Sequence, residues 1–267
     1  MKRFPRRLSV FTGAAALATA TVALAAAPAM AAGTFTNGNF VDGTFSSSGL
    51  NSPGYDTLVP GGTASLTGWT VQSGSVDLIG SYWSPPPIIA DSGYTSTYSL
   101  DMNGSPVSLP GGGTASTVGV ISQTFATVPN AEYSVQFYLA GNPDGGPSTK
   151  ALWMSTTGQG GSNAEEFPFT TTGYSNTNMG WQIEDYNFTA TSDTTTLTVY
   201  ADPTNTSNNG AALGDMYVTQ LSSDLGAMCK DGGWQSMVDP SNNYLPFKNQ
   251  GDCVSYYAVS GATPIGS

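Results

Sequence analysis

Short runs of alternating apolar and polar residues, each closed by glycine, proline or asparagine, dominate this chain and predict an all-β architecture. Glu132 to Ala140 is the clearest run. Tyr133, Val135, Phe137 and Leu139 share one face, and Ser134, Gln136 and Tyr138 share the other. Further strands are predicted over Leu66 to Val71, Val76 to Ile79, Tyr98 to Met102, Val118 to Phe125, Ala151 to Ser155, Gln182 to Thr189, Thr195 to Tyr200 and Leu213 to Val218. Pro60-Gly61-Gly62, Asn103-Gly104, Pro110 to Gly113, Asn142 to Pro147 and Thr204 to Gly210 are turn signals between them. No run carries a 3.6-residue period. One apolar face per strand supplies a single core, and many short strands at this spacing predict a β-sandwich or jelly roll.

The first 31 residues read as a secretory signal peptide. Lys2, Arg3, Arg6 and Arg7 are followed by the small apolar run Val10 to Ala27, and Ala29-Met30-Ala31 fits the small-x-small cleavage rule. The product is expected to be secreted, extracellular or associated with a cell wall. No later stretch is long and apolar enough to span a bilayer. Cleavage would leave no arginine and only Lys150, Lys230 and Lys248 against eighteen acidic residues, a net charge of −15. Such a surface repels phosphate backbones and anionic membranes, so neither nucleic acid nor membrane is an expected partner. Charged residues make up only 9 % of the chain. Solubility then rests on hydroxyls and amides, a composition suited to neutral polymers.

Cys229 and Cys253 are the two cysteines, and in an oxidising compartment they are expected to pair. Closing a loop of about 25 residues would stabilise the fold by roughly 3 to 4 kcal/mol. The predicted organisation is a signal peptide over 1–31, a sandwich domain over 32–221, and a small disulfide-closed C-terminal module with its tail over 222–267. Trp234 and Phe247 are the expected mini-core of that module, and Val254 to Val259 its strand.

The chain contains no histidine. That removes Ser-His-Asp and Cys-His nucleophiles and His-based zinc sites. Glu165-Glu166 and Glu184-Asp185 are adjacent in sequence, so on a strand their side chains point to opposite faces and cannot flank one glycosidic bond. A glycosidase would need carboxylates drawn from separate strands. Binding without catalysis is therefore the expectation.

An ordered set of segments resembles the choice-of-anchor C family, which overlaps the domain of unknown function 642. The segments are Asn37 to Phe40, Leu66 to Val71, Gly74 to Trp83, Ser99 to Gly104, Ile121 to Phe125, Leu139 to Pro147, Asn178 to Trp181 and Ala212 to Val218. The resemblance implies a galactose-binding-like jelly roll, no catalytic residues, and association with wall polysaccharides. The link Ser84 to Thr97, with its triple proline, is longer than the family pattern.

Sugars stack on aromatic rings while amides and carboxylates take their hydroxyls. Tyr82, Trp83 and Trp181, with Asn142 and Asp144, are the candidate ligand-binding residues. Each has a bland alternative: the tryptophans as core, and the Asn142 loop as a rigid turn. Trp69 reads as core, and Trp153 is left open between core and platform. A structural calcium is the one cofactor considered, because galactose-binding-like jelly rolls often tie their end strands this way. Asn37, Asp42 and Asp215 are its natural donors, or else ordinary surface groups. The expected function is non-catalytic carbohydrate binding. The alternatives are a structural or adhesive protein that docks a protein partner through the C-terminal module, and, less favoured, a glycoside hydrolase.

Overall fold

A computed structural model describes residues 34–51, 53–129, 131–157 and 164–222, with short pieces at 235, 237–238, 247–253 and 265–266. Two antiparallel sheets form a β-sandwich. The six-stranded sheet comprises β2 (Tyr55–Leu58), β5 (Val76–Ile79), β6 (Ser99–Asp101), β8 (Glu132–Gly141), β11 (Gln182–Thr189) and β13 (Ala211–Ser222), ordered β11-β8-β13-β6-β5-β2. The five-stranded sheet comprises β4 (Thr70–Ser73), β7 (Val120–Ala126), β9 (Thr149–Thr156), β10 (Glu165–Thr170) and β12 (Thr194–Ala201), ordered β10-β9-β12-β7-β4. The short strands β1 (Gly43–Thr44) and β3 (Ser65–Leu66) pair separately. After β6 the chain changes sheet at every connection except the β9–β10 hairpin, which is the weaving of a jelly roll.

The core is where the two alternating patterns meet. Tyr133, Val135, Phe137 and Leu139 of β8 are buried, as are Leu152 and Met154 of β9, Leu197 and Val199 of β12, and Phe167 and Phe169 of β10. Phe137 and Phe167 meet edge to face across the sandwich with ring centroids 5.0 Å apart. Trp69 is core as expected, at 7 % exposure.

The predicted strand Leu66 to Val71 is broken in two. Gly68 takes φ +81°, a region only glycine enters freely, and the Trp69 N–H donates to the Leu66 carbonyl across the turn. The sequence reasoning missed β2 and β10. Both are edge strands; β2 has three half-buried residues before Leu58 in place of alternation, and β10 alternates but carries a proline. Pro168 sits in β10, where an edge position needs no ladder donor on that side.

Residues 1–31, Cys229, Lys230, Trp234 and Val254 to Val259 lie outside the described residues. Cys253 is buried, and no free cysteine occurs among the described residues. Among the same residues, no helix is long and apolar enough to cross a membrane.

Candidate functional site

Asp77 of β5 and Asp101 of β6 stand directly opposite each other in the sheet, both buried. Two like charges in that register repel, and burial adds a desolvation cost. Burial pushes Asp101 up to about 7, with Asp77 adding to the rise. Burial also raises Asp77, against hydrogen bonds from Thr57 and Ser105. The pair persists because each carboxylate gathers donors, Asp77 from β2 and a loop, Asp101 from loops. Asp77 accepts from the Thr57 hydroxyl at 2.6 Å and from the Ser105 N–H and hydroxyl. Asp101 accepts from Asn142 Nδ2 at 2.7 Å, from the Asn103 N–H at 3.0 Å and from the Gly210 N–H at 2.9 Å.

Those bonds draw the Asn142–Pro147 loop and the Asn205–Gly210 loop to one end of the sandwich. Lys150, fully buried, ties the same loops together through its Nζ, which donates to the carbonyls of Gly145 at 2.7 Å and Asn209 at 2.6 Å. Gly210 is required by this closeness. A Cβ there would lie 2.6 Å from the Asn103 backbone nitrogen and from Asp101 Oδ1. Gly210→Ala is expected to cost about 1–3 kcal/mol by overpacking, read as a lower urea midpoint.

On this scaffold sits a polar rim. The Tyr82 hydroxyl donates to Asp144 Oδ2 at 2.6 Å, and Asn176 Nδ2 donates to Asp144 Oδ1 at 3.0 Å. The Asp144 N–H in turn donates to Asn142 Oδ1 at 3.0 Å, an Asx turn that aims the carboxylate outward. The hydrogen bond to Asp144 is the main cause that raises Tyr82 to about 12, so its hydroxyl stays protonated across the physiological range. The Tyr55 ring meets Tyr82 edge on, with centroids 5.5 Å apart. Tyr55, Tyr82, Asn142, Asp144, Asn208 and Asn209 line a small cavity of about 90 Å³, with Asp77 and Asp101 at its floor. This end can exchange hydrogen bonds with a ligand rich in hydroxyls beside an aromatic edge.

The structure thus brings Tyr82, Asn142 and Asp144 together. It separates the two tryptophans from them in role. Trp83 also lines the cavity, but it is only 4 % exposed and its Nε1 donates to Ser99 Oγ at 2.8 Å, so it packs as a core residue beneath Tyr82 and not as an open platform. Trp181 is half-buried, donates from Nε1 to the Ser84 carbonyl at 3.0 Å, and is absent from the cavity lining. It clamps the triple-proline link: a Cβ on Gly214 would meet Pro86 at 2.4 Å and Trp181 at 3.4 Å.

The three expected calcium donors are engaged differently in this structure. Asn37 spends its amide on the Asp42 and Thr67 carbonyls and its Oδ1 on the Asp42 N–H. The Asp42 side chain is exposed, whereas Asp215 is buried and accepts from the Ile89 N–H. Asp215 Oδ1 is unpartnered, and calcium takes six to eight oxygen ligands, backbone carbonyls and waters among them. Among the described residues no cluster of three or more acidic or cysteine side chains is placed to hold a metal.

Asp77, Asp101, Asn176 and Tyr55 were not foreseen as site residues. Asp77 and Asp101 lie inside two of the segments that carry the family resemblance, and that was their only signal. Asn176 carries none.

The sequence model of a family described as a protein of unknown function, DUF642, matches residues 33–215. No curated protein matches the chain. Similar solved structures include TmCBM61 in complex with β-1,4-galactotriose, at 16 % identity and TM-score 0.36, covering 58 % of this chain and 89 % of that one. CBM35 from Paenibacillus barcinonensis aligns at 17 % identity and TM-score 0.34, covering 61 % and 98 %. A family 35 carbohydrate binding module from Clostridium thermocellum aligns at 11 % identity and TM-score 0.34, covering 62 % and 98 %.

Proposed function

The chain belongs to the DUF642 family, and we propose that it is a secreted, non-catalytic carbohydrate-binding protein that grips a wall or extracellular polysaccharide at the Tyr82–Asp144–Asn176 rim. The observation that carries this is the bonded trio of phenol, carboxylate and amide beside Tyr55, held open by the loops that Asp101 and Lys150 fix. Such groups exchange hydrogen bonds with sugar hydroxyls, and a sugar's C–H face packs against the face of an exposed aromatic ring such as Tyr82. Asp77 and Asp101 are opposed carboxylates from separate strands, the arrangement a glycosidase would need. Their burial at 5 % and 2 % exposure favours a scaffolding role over contact with a glycosidic bond. A disulfide between Cys229 and Cys253 is part of the proposal, supported by the burial of Cys253 and by the absence of free cysteine among the described residues.

The test is retention of the chain on insoluble cellulose, chitin, xylan, pectin and peptidoglycan, with supernatants assayed for released sugar. Retention on at least one polymer without release is expected, and it should be the same with or without a calcium chelator. Asp144→Ala is expected to weaken binding roughly tenfold, the loss of a charge-assisted hydrogen bond. Retention on none of the polymers would overturn the proposal. Sugar release abolished by Asp101→Asn would replace it with the hydrolase.

A further inference from the structure

Away from the rim, the outward face of the five-stranded sheet carries an aromatic pair that takes no part in the core. Trp153 of β9 and Tyr200 of β12 are direct cross-strand partners, half-buried, and alternate with the inward Leu152, Met154 and Val199. Their rings are nearly parallel, at 13°, with centroids 6.4 Å apart. At that separation the rings are offset, so each leaves part of its face uncovered by the other. Trp153 Nε1 is itself buried and has no acceptor among the described residues, so the part of the indole open to a ligand is its ring and not its N–H.

The surroundings of the pair are hydroxyls and amides. In the neighbouring row Ser155, Thr198, Ser122 and Thr70 stand opposite one another across four strands. Beyond it the Thr124 and Thr196 hydroxyls share a 2.7 Å hydrogen bond, and Gln72 donates to Ser122 at 2.7 Å. The five strands contain no arginine, and their one lysine, Lys150, is buried. Glu166, opposite Trp153 on the edge strand, is exposed.

We propose that this face is a second carbohydrate-binding surface, on which an extended, uncharged polysaccharide chain lies across the strands with Trp153 and Tyr200 as its stacking step. The inference rests on the carbohydrate-binding reading of the rim. Charge selects the ligand class. The face offers no cation to a uronate or sulfate, Glu166 repels one, and the whole chain carries a net charge of −11. A protein partner fits less well, because stable protein contacts bury roughly 800 Å² per side around an apolar centre, and this face has one aromatic pair in a field of hydroxyls. A polymer engaging rim and face together is held at two points, which raises its affinity above that of a short oligosaccharide.

The test compares four versions of the full chain: unaltered, Asp144→Ala at the rim, Trp153→Ala with Tyr200→Ala on the face, and Thr198→Glu. The last places a charge on the face without touching either ring. Each is measured on soluble galactan, xylan and β-glucan, on trisaccharides of the same sugars, and on polygalacturonate. Both face variants are expected to lose roughly tenfold to a hundredfold on the neutral polymer that the unaltered chain binds. Trisaccharide binding should stay unchanged in them and fall only with Asp144→Ala. If the double aromatic variant does not fold, Thr198→Glu decides alone. Face variants that match the unaltered chain on every polymer overturn this inference and leave the rim standing. Equal binding of polygalacturonate overturns the charge selection. Capture of a protein in place of any polysaccharide overturns both sites.

Discussion

Trp83→Ala is expected to lower the unfolding free energy by about 3–5 kcal/mol, the range for truncating a buried tryptophan. Against a total of roughly 5–15 kcal/mol for a typical domain, that is a large share. The ring is 4 % exposed, its Nε1 is bonded to Ser99 Oγ, and Tyr82 packs against it with centroids 6.1 Å apart. Removing it opens a cavity under the rim and strands the Ser99 hydroxyl. Binding should then fail because Tyr82 loses its support, not because a sugar loses a platform. Tyr82→Phe separates the two effects. It keeps the ring and removes the hydroxyl bond to Asp144, so stability should shift by less than about 1 kcal/mol while binding weakens. Urea denaturation followed by fluorescence reads both variants. A Trp83→Ala midpoint equal to that of the unaltered chain would show that the ring is not core.

This contrast marks what the sequence could and could not convey. Alternation gives the inward and outward faces of a strand, and it located β5, β8, β9, β11 and β12 within a few residues, the edge strand β11 among them. It did not mark β2, where three half-buried residues precede Leu58, or β10, where Pro168 interrupts the run as a strand breaker. The same pattern does not say whether an aromatic beyond a strand end turns in or out. Tyr82 and Trp83 are neighbours with the same chemistry to offer, and backbone geometry sends one to the rim at 37 % exposure and the other into the core. Asn142 and Asp144 were legible because a dense turn must place its polar groups near its own backbone. Asn176 was not, since only the tertiary contact between its loop and Asp144 gives it a role. The Asp77–Asp101 opposition needed the pairing register, which no local pattern contains.

That opposition gives the second large expected effect: the protein should be most stable in mild acid and lose stability as the pH rises toward 8. Burial raises Asp101 to about 7 and Asp215 to about 6, and it raises Asp77 as well. In the unfolded chain these carboxyls titrate near 4. Between that value and the folded ones, the folded state holds protons that the unfolded state has released, so the unfolding free energy falls with increasing pH. The stabilising contribution is full below about pH 4 and is lost as the pH passes through 6 and 7. Self-repulsion of a chain carrying eighteen acidic residues against seven basic ones acts in the same direction. The measurement is the melting temperature across pH 4 to 8. Asp215→Asn isolates one contributor, because the amide oxygen still accepts from the Ile89 N–H while the buried charge is gone. It should melt higher than the unaltered chain at pH 8 and no higher at pH 4. A melting temperature that climbs with pH over this range would mean that the three carboxylates are charged and well paired in the fold, and the upward shift assigned to them would fall.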